Sequence, residues 1–293
     1  MSPDYFPRLL RRLSRGLVAS VGFGLLAACA TVDFAGSVTA PAPLASVEAM
    51  DVEWLSAAVA SPGMAAPAPL AVKWQHCTFP GKRPTAYDAM VLDGRKVIRS
   101  QAKSSASMLR QSLRVEPGEL GKLRFSWKVP ALIQGADLTQ RDRDDSPVRL
   151  VLAFEGDRST FSAKNAMLSE LVLTLTGEPL PYATLMYVWG NHHEAESVIV
   201  SARTDRIRKL VLESGPQQLD RWLDYERDIR TDYEKAYGEA PGALVGIGIM
   251  TDSDNTRQQT RAWFGPVSLQ ARTNDSAAGP GSAAALSKPL QNP

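Results

Sequence analysis

Residues 123–129 read Leu-Arg-Phe-Ser-Trp-Lys-Val, and this stretch decides the fold class. Apolar residues occupy every second position, with Arg124, Ser126 and Lys128 between them. A period of two places the apolar side chains on one face of an extended chain, which is typical of a β-strand with one buried face. The stretch therefore predicts a strand rather than a helix.

Similar short runs recur through the middle of the chain, most of them separated by Gly, Pro, Asp or Asn. Many short strands divided by turn residues are typical of a mainly β domain built as a β-sandwich. The further candidate strands are 87–92, 96–99, 113–115, 148–155, 184–189, 197–203, 207–213, 244–251 and 261–270.

Two segments, 162–176 and 216–237, have a helical period instead. For the second segment, Ser214 is a candidate cap, Pro216 suits a first turn and Gly238 marks the end. We therefore predict a sandwich with two helical excursions. The predicted apolar stripe of the first helix is Met167, Leu168, Leu171, Val172 and Leu175.

The first 28 residues have the features of an export signal. Four arginines precede an apolar run over 16–28, which fits a signal-peptide core and is too short to span a bilayer as a helix. The run ends Leu26-Ala27-Ala28-Cys29, similar to the lipobox of bacterial lipoproteins, whose cysteine sulfur receives a diacylglyceryl group. Cys29 is therefore the predicted lipidation site and membrane anchor. Ala30, which is not Asp, favours delivery to the outer membrane, facing the periplasm.

The rest of the chain divides by composition into a linker, one domain and a tail. Residues 29–72 are rich in Ala and Pro, which is typical of a spacer. Residues 273–293 are again Ala, Gly, Ser and Pro, and we predict a disordered tail. Residues 73–272 are long enough for one β-sandwich domain with its own core.

The net charge of the chain bears on whether it binds nucleic acid. The formal charge is +2 for the whole chain and −1 once residues 1–28 are removed, whereas nucleic-acid binding needs a clustered basic surface. We predict no nucleic-acid partner.

Cys29 and Cys77 are the only cysteines, so lipidation of Cys29 would exclude an intrachain disulfide.

Common catalytic and cofactor motifs are missing from the sequence. It has no G-x-S-x-G elbow, no G-x-x-x-x-G-K-[ST] loop and no H-E-x-x-H helix. Of the three histidines, His192 and His193 are adjacent, and neighbours on a strand point to opposite faces. We therefore predict no zinc site and no cofactor.

Two acidic clusters, more than a hundred residues apart, supply candidate ligand-binding groups. Carboxylate and amide oxygens suit sugar hydroxyls, general acid–base catalysis or a structural Ca²⁺ ion, and the spacing does not choose among these. The structural alternative is that Asp and Asn cap their own backbone at strand ends. The first cluster contains Asp144 and Asp145, with Arg149 as a charge partner, and the second contains Asp252, Asp254 and Asn255.

The end of the 184–189 strand is a third candidate element. Trp189 is followed by a polar loop that contains Asn191. An aromatic ring beside an amide can stack on a sugar and bond its hydroxyls, and by alternation Tyr187 shares the strand face of Trp189. The alternative is a tryptophan in the core.

These segments together resemble a bacterial envelope family called domain of unknown function 3047, over nearly all of residues 73–272. His192-His193 depart from the family pattern, where a single basic residue is more usual. The resemblance implies an exported envelope protein with a jelly roll similar to galactose-binding-like and carbohydrate-binding modules, and it implies no known activity. The matching stretches are 126–129, 135–139, 144–145, 149–154, 187–189 with Asn191, 213–215, 222–239 and 250–256.

The leading hypothesis is a lipid-anchored, non-catalytic domain that binds a glycan or another envelope polymer. Two alternatives stay open: a carboxylate-dependent hydrolase of an envelope polysaccharide, and a scaffold protein with a Ca²⁺-stabilised sandwich. All of them depend on whether the distant acidic loops meet on one surface. The predicted ligand-binding residues are Trp189, Asn191, Asp144, Asp145, Arg149, Asp252, Asp254 and Asn255.

Overall fold

The alternating segments form thirteen β-strands in a computed structural model, which describes residues 74–270 and 272. The predicted signal peptide, the lipidation site, the linker and the tail all lie outside the described residues. The strands are β1 (Gln75–Thr78), β2 (Ala86–Leu92), β3 (Arg95–Lys103), β4 (Ala106–Val115), β5 (Lys122–Lys128), β6 (Ser146–Phe154), β7 (Ala183–Gly190), β8 (Val198–Val200), β9 (Ile207–Ser214), β10 (Trp222–Asp228), β11 (Leu244–Asp252), β12 (Gln259–Phe264) and β13 (Ser268–Gln270).

The strands pair into two sheets. The seven-stranded sheet has the order β1-β4-β11-β6-β7-β9-β8, and all its neighbours are antiparallel except the parallel pair β7 and β9. The second sheet has the order β10-β5-β12-β3-β2, and β13 pairs with a further part of β5. The predicted mainly β sandwich is confirmed.

Alternation places one face of each sheet in a shared core. Leu123, Phe125 and Trp127 of β5 belong to the same buried cluster as Tyr187 and Trp189 of β7. Phe125 stacks on Tyr187, with ring centroids 5.6 Å apart, so the cluster joins the two sheets. Burial of several large aromatic side chains is the main contribution to the stability of such a core.

The other face of the seven-stranded sheet carries a second buried cluster. Val151, Met186 and Met250 point away from the shared core because each alternates with a core residue of its strand. Phe79 and Leu138, from loops outside the sheet, belong to the same cluster. The central strands of this sheet are therefore buried on both faces, and polar side chains on the outer face are removed from water.

Helix α1 (Ala163–Thr176) lies where the sequence predicts it, but its buried face is different. Met167 is 70% exposed and Leu175 is 50% exposed, so the prediction is wrong for these two residues of the apolar stripe. Val172 is buried and Leu168 packs against its cluster, as the stripe predicts. The side chain of Asn165 faces inward because it donates to Asp205 at 2.6 Å and accepts from Thr204 at 2.8 Å. The buried residues of this helix are Asn165, Ser169, Val172 and Thr176.

The second predicted helix begins later than its periodicity suggests. The stretch from Trp222 to Asp228 forms β10, which pairs along the whole of β5. Helix α2 (Ile229–Tyr237) starts only where the Asp228 side chain accepts from the backbone N–H of Thr231. Gly238 ends it in the left-handed conformation, as predicted. Pairing with β5 thus overrides the helical spacing of 222–228.

Cys77 is buried and disulfide-bonded. The expectation that the chain forms no intrachain disulfide is therefore wrong in this structure.

No helix among the described residues combines the length and the apolar character needed to cross a membrane.

The observed start of α2 predicts a specific effect of removing its cap. Asp228→Ala should lower the free energy of unfolding by about 1 kcal/mol, because the first turn loses its side-chain acceptor. Asp228→Asn keeps an acceptor and should retain most of that stability. Urea denaturation measures both.

Ser214→Ala is the matched control, because Ser214 is the cap that the sequence predicts. It should be nearly neutral. A loss at Ser214 that equals the loss at Asp228 would contradict the observed helix start.

Candidate functional site

Arg149 is the centre of the candidate site. Alternation in β6 directs it to the outer face of the seven-stranded sheet, where it is only 3% exposed. Its Nε donates to Asp252 Oδ1 at 2.8 Å, and its Nη2 donates to Asp252 Oδ2 at 3.0 Å. The same Nη2 donates to the backbone oxygen of Asp144 at 2.8 Å and to Asp144 Oδ1 at 3.1 Å. The two acidic clusters therefore converge on one guanidinium group.

Strand pairing explains the convergence. β6 and β11 are antiparallel neighbours, with Met250 opposite Arg149 and Asp252 opposite Ser146. The backbone N–H of Ser146 donates to Asp252 Oδ1 at 3.0 Å. Asp144 lies two residues before β6, and the turn at this end of the strand brings its carboxylate to the arginine.

Lys209 is a second buried cation, which the sequence analysis missed. It projects from β9, and its Nζ donates to Asp144 Oδ2 at 2.5 Å and to the backbone oxygen of Leu138 at 2.7 Å. Arg203 adds a third cation, with Nη1 3.6 Å from Asp144 Oδ2. One sequence signal could have identified it. The predicted strand 207–213 is mostly apolar, and a lysine at position 209 of such a strand indicates a buried charge that needs a partner.

Asp145 and Asn255 join the two loops by hydrogen bonds. Asp145 Oδ1 accepts from the backbone N–H of Asn255 at 3.2 Å and from its Nδ2 at 2.9 Å. Asp145 Oδ2 accepts from the backbone N–H and the hydroxyl of Thr256, at 2.7 and 2.6 Å. The capping alternative holds for Asp145, although the backbone it caps belongs to the other loop.

A pocket of about 500 Å³, its open mouth included, lies against this network. Among the described residues, the only partner of Arg149 Nη1 is the sulfur of Met186 at 4.0 Å, and Arg203 Nε has none. The lining thus combines apolar surface with donors that have unused hydrogen-bonding capacity. It consists of Phe79, Lys82, Ala106, Asp144, Arg149, Met186, Ser201, Arg203, Ile207, Lys209, Met250, Asp252, Asp254 and Asn255.

Burial and mutual charge perturb the ionisation of the network. Burial disfavours a charged Asp144, but the charges of Arg149 and Lys209 outweigh it and lower the pKa of Asp144. Burial raises the pKa of Asp252 to about 7, against the opposing effect of Arg149. Burial also lowers the pKa of Lys209 to about 8, against the effect of Asp144. Perturbed pKa values that cluster beside a pocket are typical of functional sites.

Trp189 and Asn191 do not belong to the pocket, which corrects two predicted ligand contacts. Trp189 is 1% exposed in the shared core, and its indole N–H donates to the backbone oxygen of Gly215 at 3.1 Å. Its ring is therefore enclosed by protein and offers no face to a sugar. Asn191 Nδ2 donates to the backbone oxygen of Ile133 at 2.7 Å, which ties two loops together.

The acidic residues form an ion-pair network rather than a calcium cage. One carboxylate oxygen each of Asp145, Asp252 and Asp254 lies within 4.8 Å of the others. However, Asp252 accepts from Arg149, Asp254 pairs with Lys82, and Asp145 accepts four hydrogen bonds. Ca²⁺ needs six to eight free oxygen ligands, so these committed carboxylates are poorly suited to it.

The histidine pair lies elsewhere, and its geometry differs from the prediction. His192 and His193 are in a bend after β7, not in a strand. The rule of opposite faces therefore does not apply, and the Nε2 atoms of both rings lie within 4 Å of the Asp137 carboxylate.

Comparisons with known proteins assign a family to the chain. The family described as "Protein of unknown function (DUF3047)" matches residues 72–268. A search of curated proteins finds no match. Among solved structures, the chain is similar to the xyloglucanase domain of NopAA, a type three effector from Sinorhizobium fredii solved in complex with cellobiose. The sequence identity is 10% and the TM-score is 0.35, and the match covers 68% of this chain and 93% of that chain. It is also similar to TmCBM27, a carbohydrate-binding module studied for mannan recognition, at 11% identity and a TM-score of 0.26, over 68% and 89%.

The raised pKa of Asp252 predicts a pH-dependent stability. The pKa of Asp252 in the folded protein, about 7, lies above the usual value of about 4 for an unfolded chain. Between about pH 4 and pH 7, Asp252 therefore keeps its proton in the folded protein and loses it in the unfolded chain. The contribution of Asp252 to stability is therefore greatest at low pH and is lost as the pH rises towards 7.

Asp252→Asn removes this titration. The stability of the wild type relative to Asp252→Asn should fall by at least about 1.4 kcal/mol between pH 4.5 and pH 7.5, the equivalent of a tenfold change in proton affinity. Urea denaturation at several pH values measures the difference. Parallel pH profiles for the two proteins would contradict the raised pKa.

Proposed function

Because the chain belongs to the DUF3047 family, whose description names no activity, we propose its function from the site: a non-catalytic domain that binds a glycan or another envelope polymer in the Arg149 pocket. The observation that carries this proposal is the unused hydrogen-bonding capacity of two arginines that line the pocket: Arg149 Nη1 contacts only the Met186 sulfur among the described residues, and Arg203 Nε has no partner there. A lining that combines apolar surface with a few convergent polar groups is typical of small-molecule sites.

The ion pairs hold Arg149 in place before a ligand arrives. Asp252 and Asp144 occupy Nε and Nη2 of Arg149, so the guanidinium plane is fixed and Nη1 is left available. A donor that is already oriented loses little conformational entropy on binding. The site therefore favours a ligand that presents oxygen acceptors at fixed positions.

The mixed lining favours a sugar-like ligand. Sugar units combine oxygen acceptors with apolar C–H faces, and the pocket combines cationic donors with Phe79, Ile207 and Met250. Four cationic and three acidic side chains line it, giving a formal excess of one positive charge. Neutral or acidic units match this charge better than amino sugars with free ammonium groups.

The commitment of the carboxylates favours binding over hydrolysis. A general acid must deliver its proton to the leaving oxygen, and a second carboxylate must be free to act on the other side of the bond. Asp144 and Asp252 instead share Arg149, and Asp145 is bound to the backbone of the opposite loop. None of these groups is free to act as the second catalytic carboxylate.

Binding is tested with the detergent-solubilised full-length protein on an array of bacterial envelope polysaccharides and their fragments. Arg203→Gln should weaken binding roughly 10-fold to 100-fold, because a hydrogen bond to a charged group contributes about 1.5–3 kcal/mol. Arg203 is part-exposed, so the variant should fold.

Arg261→Gln is the matched control, because Arg261 is an exposed arginine on the other sheet that contacts Trp263. It should bind like the wild type. Absence of binding to every polymer, or undiminished binding by both Arg203→Gln and Lys82→Gln, would overturn the proposal.

Hydrolysis of the same polymer is the second candidate function. The specific observation in its favour is the pKa of Asp252, which at about 7 lies where a general acid works at neutral pH. Release of reducing ends from a bound polysaccharide, abolished in Asp252→Asn while binding is retained, would replace the binding proposal with this one.

We also propose that a lipid at Cys29 anchors the protein in the outer membrane, facing the periplasm. The support is the sequence Leu26-Ala27-Ala28-Cys29 after a short apolar run. A thioether sulfur cannot also form a disulfide, and Cys29 is the only other cysteine in the chain that Cys77 could bond. The two modifications of Cys29 therefore exclude each other.

Mass spectrometry of protein extracted from membranes distinguishes a lipidated Cys29 from a disulfide-bonded one. A chain that begins at Cys29 and carries a diacylglyceryl group is the expected product, and Cys29→Ser should keep its signal peptide. A lipid-free chain with a disulfide between Cys29 and Cys77 would contradict the anchor.

A further inference from the structure

Three metal-ligating side chains meet on the loops outside the pocket. His193 Nε2 lies 3.3 Å from Asp137 Oδ1, and His192 Nε2 lies 3.8 Å from Asp137 Oδ2. The two imidazole rings stack with centroids 4.3 Å apart and planes inclined by 28°. Both rings therefore present the same nitrogen to one carboxylate group.

The carboxylate of this cluster is held in position by its own loop. Asp137 Oδ1 accepts from the backbone N–H and the hydroxyl of Thr139, at 2.9 and 2.6 Å. Asp137 Oδ2 accepts from Gln140 Nε2 at 2.8 Å. Hydrogen bonds of this kind orient a carboxylate ligand and are a recurrent feature around metal ions in proteins.

The imidazole side is also positioned by contacts. Asn191, immediately before the pair, donates to the backbone oxygen of Ile133 and so fixes the bend against the loop that carries Asp137. Gly190 leaves room for the buried ring, since a Cβ there would lie 3.3 Å from His193 Nδ1 and 3.4 Å from Leu138 Cδ1. The two loops are thus held together independently of any ion.

We propose that Asp137, His192 and His193 form a binding site for a divalent transition-metal ion, with Zn²⁺ as the reference ion. Imidazole nitrogens and a carboxylate are the ligands that Zn²⁺ accepts, at about 2.0–2.2 Å. Tetrahedral ligands at that distance are about 3.4 Å from one another. The observed separations of 3.3 and 3.8 Å from Asp137 need only small side-chain movements to reach this geometry.

The site is open to solvent on one side. The His192 side chain is 61% exposed, whereas those of His193 and Asp137 are mostly buried. An ion can therefore enter past His192, and three protein ligands leave a fourth position for water or for a group of a bound molecule.

The ion would stabilise a loop that also builds the pocket. The backbone oxygen of Leu138, next to Asp137, accepts a hydrogen bond from Lys209. Asp144, further along the same loop, accepts another from the same lysine. Fixing Asp137 to the bend after β7 would restrict this loop at its outer end. Metal binding should therefore raise the melting temperature whether or not the pocket binds a glycan.

The test is calorimetric titration of ZnCl₂ into the full-length, detergent-solubilised protein, purified without a histidine tag and treated with EDTA. The wild type should bind one ion per chain at this site. His192→Gln and His193→Gln should each weaken that binding at least 10-fold, because each removes one of three ligands.

His76→Gln is the matched control. His76 is the third histidine of the chain, and it bonds to Ser107 on a different strand pair. This variant should bind Zn²⁺ like the wild type and show the same rise in melting temperature with added ZnCl₂.

Two outcomes would overturn the site. One is the absence of Zn²⁺ binding by the wild type at millimolar ZnCl₂, which would leave the three residues as an ordinary His–Asp contact. The other is undiminished binding by both His192→Gln and His193→Gln, with circular dichroism showing that they are folded, which would place the ion elsewhere. Neither result bears on glycan binding by the Arg203 variant, so the two proposals fail separately.

Discussion

The pairing of Arg149 with Asp252 and Asp144 is the interaction on which the candidate site depends. Removing a guanidinium group from water costs several kcal/mol, and only well-placed opposite charges and hydrogen bonds offset that cost. Here the offset comes from the end of β11 and from the loop before β6. The buried arginine thereby determines where both loops lie. Lys209 extends the network to β9 and, through Leu138, to the outer loop.

This arrangement gives the pocket a preorganised charge distribution. Arg149 and Lys209 are held by carboxylates from fixed backbone positions, so the donors that face the pocket do not have to be ordered by a ligand. The same ion pairs occupy the carboxylates of Asp144 and Asp252. This pairing is the basis on which we propose binding rather than hydrolysis.

Particular residues show how far sequence reasoning reached. Alternation over 123–129 identified β5, and Gly238 correctly marked the end of α2, since both signals are local. Periodicity failed where tertiary pairing competes with it: the stretch Trp222–Asp228 has helical spacing but pairs with β5. Trp189 was proposed as a sugar platform although its alternation with Tyr187 also fitted a core position, and burial against the second sheet decided between the two.

The sequence by itself determined the sandwich class, the approximate strand positions, the helix end at Gly238 and the acidic residues of the site, because these depend on period, turn chemistry and residue type. The tertiary structure alone decided that Asp144 and Asp252 share Arg149, that Lys209 joins them, and that both histidines reach Asp137. These groups lie as much as 103 residues apart, or in a bend whose conformation has no sequence period. Strand order and register bring them together, and neither can be derived from spacing along the chain.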